Sequence, residues 1–586
     1  MASRIPPCPD DRSINDWRPI EVICIGAGMC GIAVGCLFPQ HIPNLKLTIY
    51  EKNTDVGGTW FENHYPGLRP DLTPHVYQYT FASNPNWTRF YPPGPEFEEY
   101  LRTVARKYEV YKHVEFSHRF LSAEWFEDDA QWEVTVKRLD DGTTFKDRAD
   151  ILIKCTGFVN DWRWPKVPGR EKFKGTMLHT ANWDDNFDPE DKTVAVLGYG
   201  STGVQITPAI QPIVKQLDHY VRGKVWVPPG GGTNTEELIE RNAHMNFDHD
   251  LGERHKFSEN PETYLQFRKK QESYCNNVQK IFFKDTEAQL NFTAFLDQNL
   301  KETTKKKPWL YETLKPDYPP GCRRLVMGQG WLECMQKDNA NIIPKDVREF
   351  TEAGIIDEDG VERSYDAIIC ATGFDSKLDS NTTPIIGRNS TPLSMVWKDR
   401  PTAYMGIQPE QMPNLFLMFG PNSAPFAGSI VHTFEACAHY IIKCVKKIQR
   451  EYIKSMVCKP LALKSWIKHV DRHMGKTVMS ASCVTWFKRN EPNGPVVTLW
   501  PGSAMHGYFG WENPRFEDFE YTSWLPEDDP FGWIGNGNTL EEKTGEGDTT
   551  LYMDYTDVSK VLHVSTTDYP APGRLQSALT NGLHPN

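Results

Sequence analysis

Two glycine-rich turns carry the clearest chemistry in this chain. Gly26-Ala27-Gly28-Met29-Cys30-Gly31 and Gly198-Tyr199-Gly200-Ser201-Thr202-Gly203 place three glycines at the same spacing. In such a turn the first glycine makes the bend, the second lets the backbone approach a pyrophosphate, and the third lets a helix pack closely on a strand. The phosphate then lies at the positive end of that helix. Glu51 stands twenty residues beyond Gly31, the spacing of a carboxylate that accepts from ribose hydroxyls. After the second turn the corresponding residues are Arg222 and Lys224. Cations there accommodate a 2′-phosphate. Two different dinucleotides are expected: FAD at the turn that leads to Glu51, and NADPH at the turn with Ser201, Thr202, Gln205, Arg222 and Lys224.

The elements that must hold these turns are readable nearby. Ile20–Ile25 is a short apolar run, rich in β-branched residues, that stops at glycine, as a buried parallel strand does. Leu45–Tyr50 is the strand that delivers Glu51. Lys192–Leu197 and Leu217–Val221 repeat the arrangement around the second turn. Ala149–Cys155 and Tyr365–Cys370 are further apolar strands, each running into a Thr-Gly turn, and both are expected to close back on the flavin sheet. The fold class is α/β, with two Rossmann-like dinucleotide-binding domains. Residues 1–175 form the first part of a discontinuous FAD domain, and 176–365 an inserted NADPH domain. Residues 366–536 complete the FAD domain with active-site loops. That second part holds the strand Asn414–Met418, the turn Gly420-Pro421-Asn422, whose Pro421 and Asn422 are assigned to the flavin, and an amphipathic helix from Val431 to Arg450. Residues 234–318 are charged, poor in glycine and apolar at helical intervals, so a helical insertion is expected there. Residues 537–586 read as a loosely attached tail, with Tyr552, Met553 and Val558–Val564 as its apolar anchors.

Composition narrows the function classes. The chain has 586 residues, too many for one core, with 39% hydrophobic and 24% charged residues. A net charge of −12 argues against nucleic-acid binding. No apolar run suits a membrane span, and Met1–Trp17 has no signal-like apolar core. Thirteen scattered cysteines without a Cys-x-x-Cys pair argue against zinc, for which no ligand set is assigned, and against a dithiol flavoprotein reductase. Cys24, Cys30 and Cys36 read as packing residues. A reducing, cytoplasmic setting and a monomer or weak oligomer are the expectations.

Three longer motifs specify the reaction. Phe173-Lys-Gly175-Thr-Met-Leu-His179-Thr-Ala-Asn-Trp183-Asp184 reproduces the pattern FxGxxxHxxxW[P/D]. Gly57-Gly58-Thr59-Trp60-Phe-Glu-Asn63-His64-Tyr65-Pro66-Gly67-Leu-Arg69-Pro-Asp71 is a second extended match, with Tyr77 six residues on. Pro320-Gly321-Cys322-Arg323-Arg324-Leu325 is the third, and Ser482-Cys-Val-Thr485-Trp486-Phe487 a shorter fourth. On these motifs the chain resembles the type I Baeyer–Villiger monooxygenases from Pro19 to about Tyr521, in wording closest to the fungal branch. The departures are Asp184 in place of the commoner Pro, and Arg323 where many relatives carry Lys.

The resemblance implies that NADPH reduces FAD, and that O2 then gives a C4a-peroxyflavin that attacks a ketone and yields an ester or lactone. It assigns catalysis to Arg324 and Asp71. Flavin contacts fall to Gly57, Gly58, Thr59, Trp60, Asp71 and Tyr77, and a nicotinamide contact to Trp486. A guanidinium stays charged at any working pH and can stabilise both an anionic oxidant and a developing oxyanion. Asp71 would orient it through a charge-assisted hydrogen bond. His179 is expected to be a satisfied structural histidine. The alternative is a flavin monooxygenase that oxidises nitrogen or sulfur, against which Trp183, Asp71 and Arg324 argue; a flavin-bound redox partner without oxygenation is a third class.

Overall fold

The computed structural model describes residues 11–228, 235–241, 246–328, 330–375 and 383–553. Its organising element is the strand Ile20–Ile25. Val22 and Cys24 pack into one core and Ile23 and Ile25 into another, so both faces are buried. A strand apolar on both faces must be covered on both, which the middle of a parallel sheet provides. It runs parallel between Leu45–Tyr50 and Ile151–Lys154. Val114–Glu115 and Leu415–Leu417 complete the five-stranded sheet at its edges.

The second sheet also has five strands, all parallel: Ala340–Ile343, Gln216–Tyr220, Thr193–Leu197, Ala367–Cys370 and Thr176–His179. Here one expectation is corrected. Ile151–Lys154 joins the first sheet, but the strand ending at Cys370 belongs to the second. Asp366, just before it, fixes this pairing. Its carboxylate accepts from Thr193 N–H at 2.8 Å and its carbonyl from Thr176 N–H at 3.0 Å.

Helix Ile430–Arg450 packs with Met29–His41 against the first sheet and buries Val431, Phe434, Cys437, Ala438, Ile441 and Val445 on one face, the three-and-four spacing of an amphipathic helix. Ser429 caps it by accepting from Val431 N–H. The other face of the sheet is covered by the antiparallel strands His118–Phe126, Gln131–Arg138 and Thr144–Ala149, around a wholly buried Trp132.

The expected helical insertion is present as Thr235–Glu240, Leu251–Glu259, Pro261–Asn277, Glu287–Thr303 and Trp309–Leu314. Asp250, Asn260 and Thr286 cap three of these helices, each accepting a backbone N–H three residues on.

The described residues 11–16 and 527–553 belong to a compact unit of their own. Within it Arg12 donates to Gly532 O, Asn15 to the Glu541 carboxylate, and Ile14 N–H to Asn538 O. The first described stretch of the tail is therefore tied to the N-terminal segment and not loose, and Tyr552 and Met553 are exposed instead of anchoring it. Val558–Val564 and the first ten residues lie outside the described residues. Cys24, Cys30 and Cys36 are buried thiols. Cys322 and Cys483 are joined in a disulfide, which the scattered cysteine spacing did not foretell. Among the described residues no helix is long and apolar enough to cross a membrane.

Candidate active site

A cleft of about 1170 Å3 runs along the carboxyl ends of the strands that carry the first glycine turn. Gly26, Gly28, Glu51, Gly57, Gly58, Thr59, Trp60, Asp71, Tyr77, Arg324 and Trp486 all line it. Gly26 takes φ +101°, and a Cβ at Gly31 would sit 1.9 Å from Gly26 O. Gly58, at φ +56°, presses on Gly28, so a Cβ there would be 2.9 Å from Gly28 Cα. The two backbones thus meet bare at the N-terminus of helix Met29–His41, a cradle that suits a pyrophosphate. Glu51 closes the strip. Its carboxylate accepts from Ala27 N–H at 2.6 Å and Asn53 N–H at 2.9 Å. Burial raises its pKa while these two N–H groups pull it down. A carboxylate has about four acceptor sites, which leaves capacity for ribose hydroxyls.

The polar centre of the cleft is Asp71. Arg324 Nη2 donates to its Oδ2 at 2.8 Å. Ser201 Oγ donates to the same oxygen at 3.4 Å, and Gln205 Nε2 to Oδ1 at 3.2 Å. Gln205 also donates to Arg69 O and accepts from Tyr65 Oη at 2.8 Å. Ser201 and Gln205 belong to helix Ser201–Ile210, which opens at the second glycine turn. Asp71 therefore links the helix of the second glycine turn to the loop of Arg324. Neighbouring Arg323 also lines the cleft and donates to Lys224 O at 3.1 Å.

Aromatic rings form the walls. Tyr77 stacks on Phe97 at 4.9 Å and meets Trp60 edge-on at 5.9 Å. Burial pushes the Tyr77 hydroxyl up to about 12, so it is a neutral donor. Trp486 packs on Phe158 at 5.1 Å, and Phe158 stacks on Phe419 at 4.9 Å.

Other sequence-predicted residues stand off the cleft. Gly198, Gly200, Thr202, Gly203, Arg222 and Lys224 are not in its wall, although nothing lies within 4 Å in front of Gly200. Thr202 hydrogen-bonds Tyr65. Pro421 and Asn422, expected as flavin contacts, are likewise not in the cleft wall. Asn422 is wholly buried and spends its amide on Val496 O and Leu499 O, while Ala424 and Pro425 reach the cleft. His179 is satisfied: Nδ1 accepts from Ala181 N–H at 3.1 Å, Nε2 faces Thr372 Oγ1 at 3.2 Å, and burial lowers its pKa to about 4. Trp183 is buried against Phe187.

Lining residues missed in sequence include Arg69, Lys154, Phe158 and Trp162. Lys154 donates to Thr156 Oγ1 at 2.8 Å, and desolvation lowers its pKa to about 8. Its place at the end of an otherwise apolar strand was the available signal.

Residues 20–229 match the flavin-binding monooxygenase-like family. The FAD-binding monooxygenase tazF of Aspergillus terreus is 33% identical over 542 residues, covering 92% of this chain and 95% of that protein. The FAD-binding monooxygenase stcW of Emericella nidulans is 33% identical, covering 90% and 87%. Among solved structures, cyclohexanone monooxygenase from Rhodococcus sp. Phi1 bound to NADP+ superposes with TM-score 0.72 at 24% identity, over 86% of this chain and all of that one. Oxidized steroid monooxygenase bound to NADP gives 0.73 at 22%, with the same coverage. The chain belongs to the flavin-binding monooxygenase family. Its fold is that of the type I Baeyer–Villiger monooxygenases.

Proposed function

We propose that the protein binds FAD at the first glycine turn and NADPH at the second, and inserts one oxygen atom of O2 beside a ketone carbonyl to give an ester or lactone. The observation that carries this reading is the Asp71–Arg324 pair, a fixed cation held at the cleft wall beside the bare Gly28–Gly58 strip. The names of the relatives, which speak of FAD, and the NADP-bound state of the solved neighbours support the cofactor assignment. On this reading the first sheet serves FAD and the second NADPH. The domain boundary then moves from residue 365 to beyond Cys370.

When bound and reduced, the flavin supplies the electrons that activate O2 for transfer of one oxygen atom. The chain's own residues do the rest. Arg324 offers a charge that no working pH removes to an oxyanion developing on the substrate. Asp71 orients that guanidinium, while Ser201 and Gln205 orient Asp71. Trp60, Tyr77 and Trp486 present flat apolar surface to planar rings and exclude water. A second reading, oxygenation of nitrogen or sulfur, works best with a protonated oxidant, which a permanent cation in the cleft disfavours. A panel of ketones, amines and sulfides, with NADPH consumption and product mass followed together, tests the proposal. Ketones gaining one oxygen are the expected result; turnover confined to amines or sulfides would overturn it.

A further inference from the structure

Cys322 stands two residues before Arg324, and Cys483 three residues before Trp486. Arg324 and Trp486 line the same cleft, and the bond between the two sulfurs joins their segments across 161 residues of chain. Both cysteines are buried. A third group attends the pair. Lys488, only 1% exposed, donates through Nζ to Ala481 O at 2.7 Å and Pro492 O at 2.8 Å, and stands 3.9 Å from Cys322 Sγ. Burial lowers the lysine's pKa, while the carbonyls around it favour its charged form. An ammonium beside a sulfur stabilises the thiolate, the form that reacts with oxidants. The ten other described cysteines are buried.

We propose that Cys322 and Cys483 form a reversible redox modification site, closed by hydrogen peroxide and opened by a dithiol, which clasps the Arg324 loop to the Trp486 segment. This rests on the monooxygenase reading above, because such enzymes release hydrogen peroxide when oxygen transfer to substrate fails. Closure proceeds in two steps. The Cys322 thiolate attacks peroxide, an S–O bond forms as the O–O bond breaks, and the departing hydroxide takes a proton to become water. Cys483 then attacks that sulfur; an S–S bond forms, the S–O bond breaks, and a second water leaves with the Cys483 proton. Two thiols lose two electrons, and one peroxide becomes two waters. A dithiol reverses the change by exchange, itself becoming a disulfide.

The consequence follows from position. A cross-link removes conformational freedom from the segments it joins. A catalytic cation must be held to within about 0.5 Å of its productive place. The open pair lets the Arg324 loop and the Trp486 segment drift apart, and electrons leak to O2 as peroxide. The leaked product is the reagent that closes the clasp, so the device limits its own leak.

The test uses the full-length, flavin-loaded protein in two states, reduced by dithiothreitol and then reoxidised with a slight excess of hydrogen peroxide. Alkylation and peptide mass spectrometry should find Cys322 and Cys483 both blocked after reduction. After peroxide they should appear as one cross-linked peptide, lighter by two hydrogens than the two thiol peptides, with the other cysteines unchanged. In the absence of any ketone both forms return each electron pair as hydrogen peroxide, and the reduced form should do so at least about threefold faster per bound flavin. Cys483→Ser, which leaves the Arg324 loop intact, should leak at the reduced rate and respond to neither reagent. Thiols that stay alkylatable after peroxide, or equal leak from both wild-type states, would overturn the proposal. A cross-link that forms in a protein oxygenating no ketone would support the site and sink the reading of the reaction instead.

Discussion

Arg324 and Asp71 lie 253 positions apart in sequence and meet at 2.8 Å in the cleft wall. The Arg324 side chain is 56% exposed, and an ion pair so open to water adds little stability. The relationship is positional. Asp71 is itself held by Ser201 and Gln205, so the guanidinium is aimed by the helix that begins at the second glycine turn. Anything that moves that helix is transmitted to the cation.

Arg324→Ala should leave the protein folded, yellow and able to oxidise NADPH. Oxygen insertion should fall on the order of 100- to 1,000-fold, with the electrons recovered as hydrogen peroxide. Asp71→Asn should fall less, because a neutral amide still accepts a hydrogen bond from the guanidinium. Product formation and peroxide release, measured per NADPH, check both. Near-parental ketone conversion by Arg324→Ala would refute its assignment.

Gly58→Ala addresses flavin binding separately from chemistry. The new Cβ would lie 2.9 Å from Gly28 Cα, at φ +56°, on the strip where the two backbones meet. The variant should purify colourless, or lose its flavin on dilution, with a circular dichroism spectrum like the parent's. Full retention of the yellow chromophore would show that the strip is not the flavin cradle.

Much of this was legible in the residues. The glycines at 26, 28 and 31 need no tertiary information, because the turn, the bare backbone and the close helix packing are all local. Glu51 follows from the length of the strand that carries it. What could not be read was pairing at a distance. Nothing in Tyr365–Cys370 says which sheet it joins; Asp366 decides that by accepting from Thr193 and Thr176, residues far away in sequence. Asn422 has the side chain of a ligand contact, yet the carbonyls of Val496 and Leu499 claim it. The Cys322–Cys483 bond depends on two segments 161 residues apart meeting in space, and spacing along the chain carries no trace of it.

Nicotinamide choice is testable at Arg222. Its side chain is 78% exposed, with Nη1 3.6 Å from Asp346, so it is available to a phosphate. The loop is steadied by Arg323 and Tyr318, which both donate to Lys224 O. Arg222→Ala should raise the KM for NADPH about tenfold, a loss near 1.4 kcal/mol, and leave that for NADH nearly unchanged. Equal use of both nicotinamides by the parent would remove the basis of the assignment.

The last prediction concerns a carboxyl outside the cleft centre. Glu272 is largely buried, and neither of its oxygens has a hydrogen-bond partner. Burial raises its pKa to about 8, with Arg268 pulling down and Glu435 adding to the rise. His432 Nε2 lies 3.3 Å away, and burial lowers that histidine to about 4. The spacing would suit an ion pair, but both shifts favour the neutral forms, as expected where removing two charges from water costs more than their attraction returns. The signs then oppose each other. Between pH 4 and 6.5 the unfolded chain holds a proton on His432 that the fold does not, so that residue makes stability rise with pH. From pH 4.5 to 8 the fold holds a proton on Glu272 that the unfolded chain has lost, so this residue makes stability fall. The two largely cancel below pH 6.5, and above it Glu272 acts alone, at up to about 1.4 kcal/mol per pH unit. Between pH 6.5 and 8 the melting temperature of the parent should therefore drop. Glu272→Gln keeps the shape without the titration, and its melting temperature should lack that drop. Parallel curves for the two proteins across this window would show that Glu272 is not a neutral buried acid.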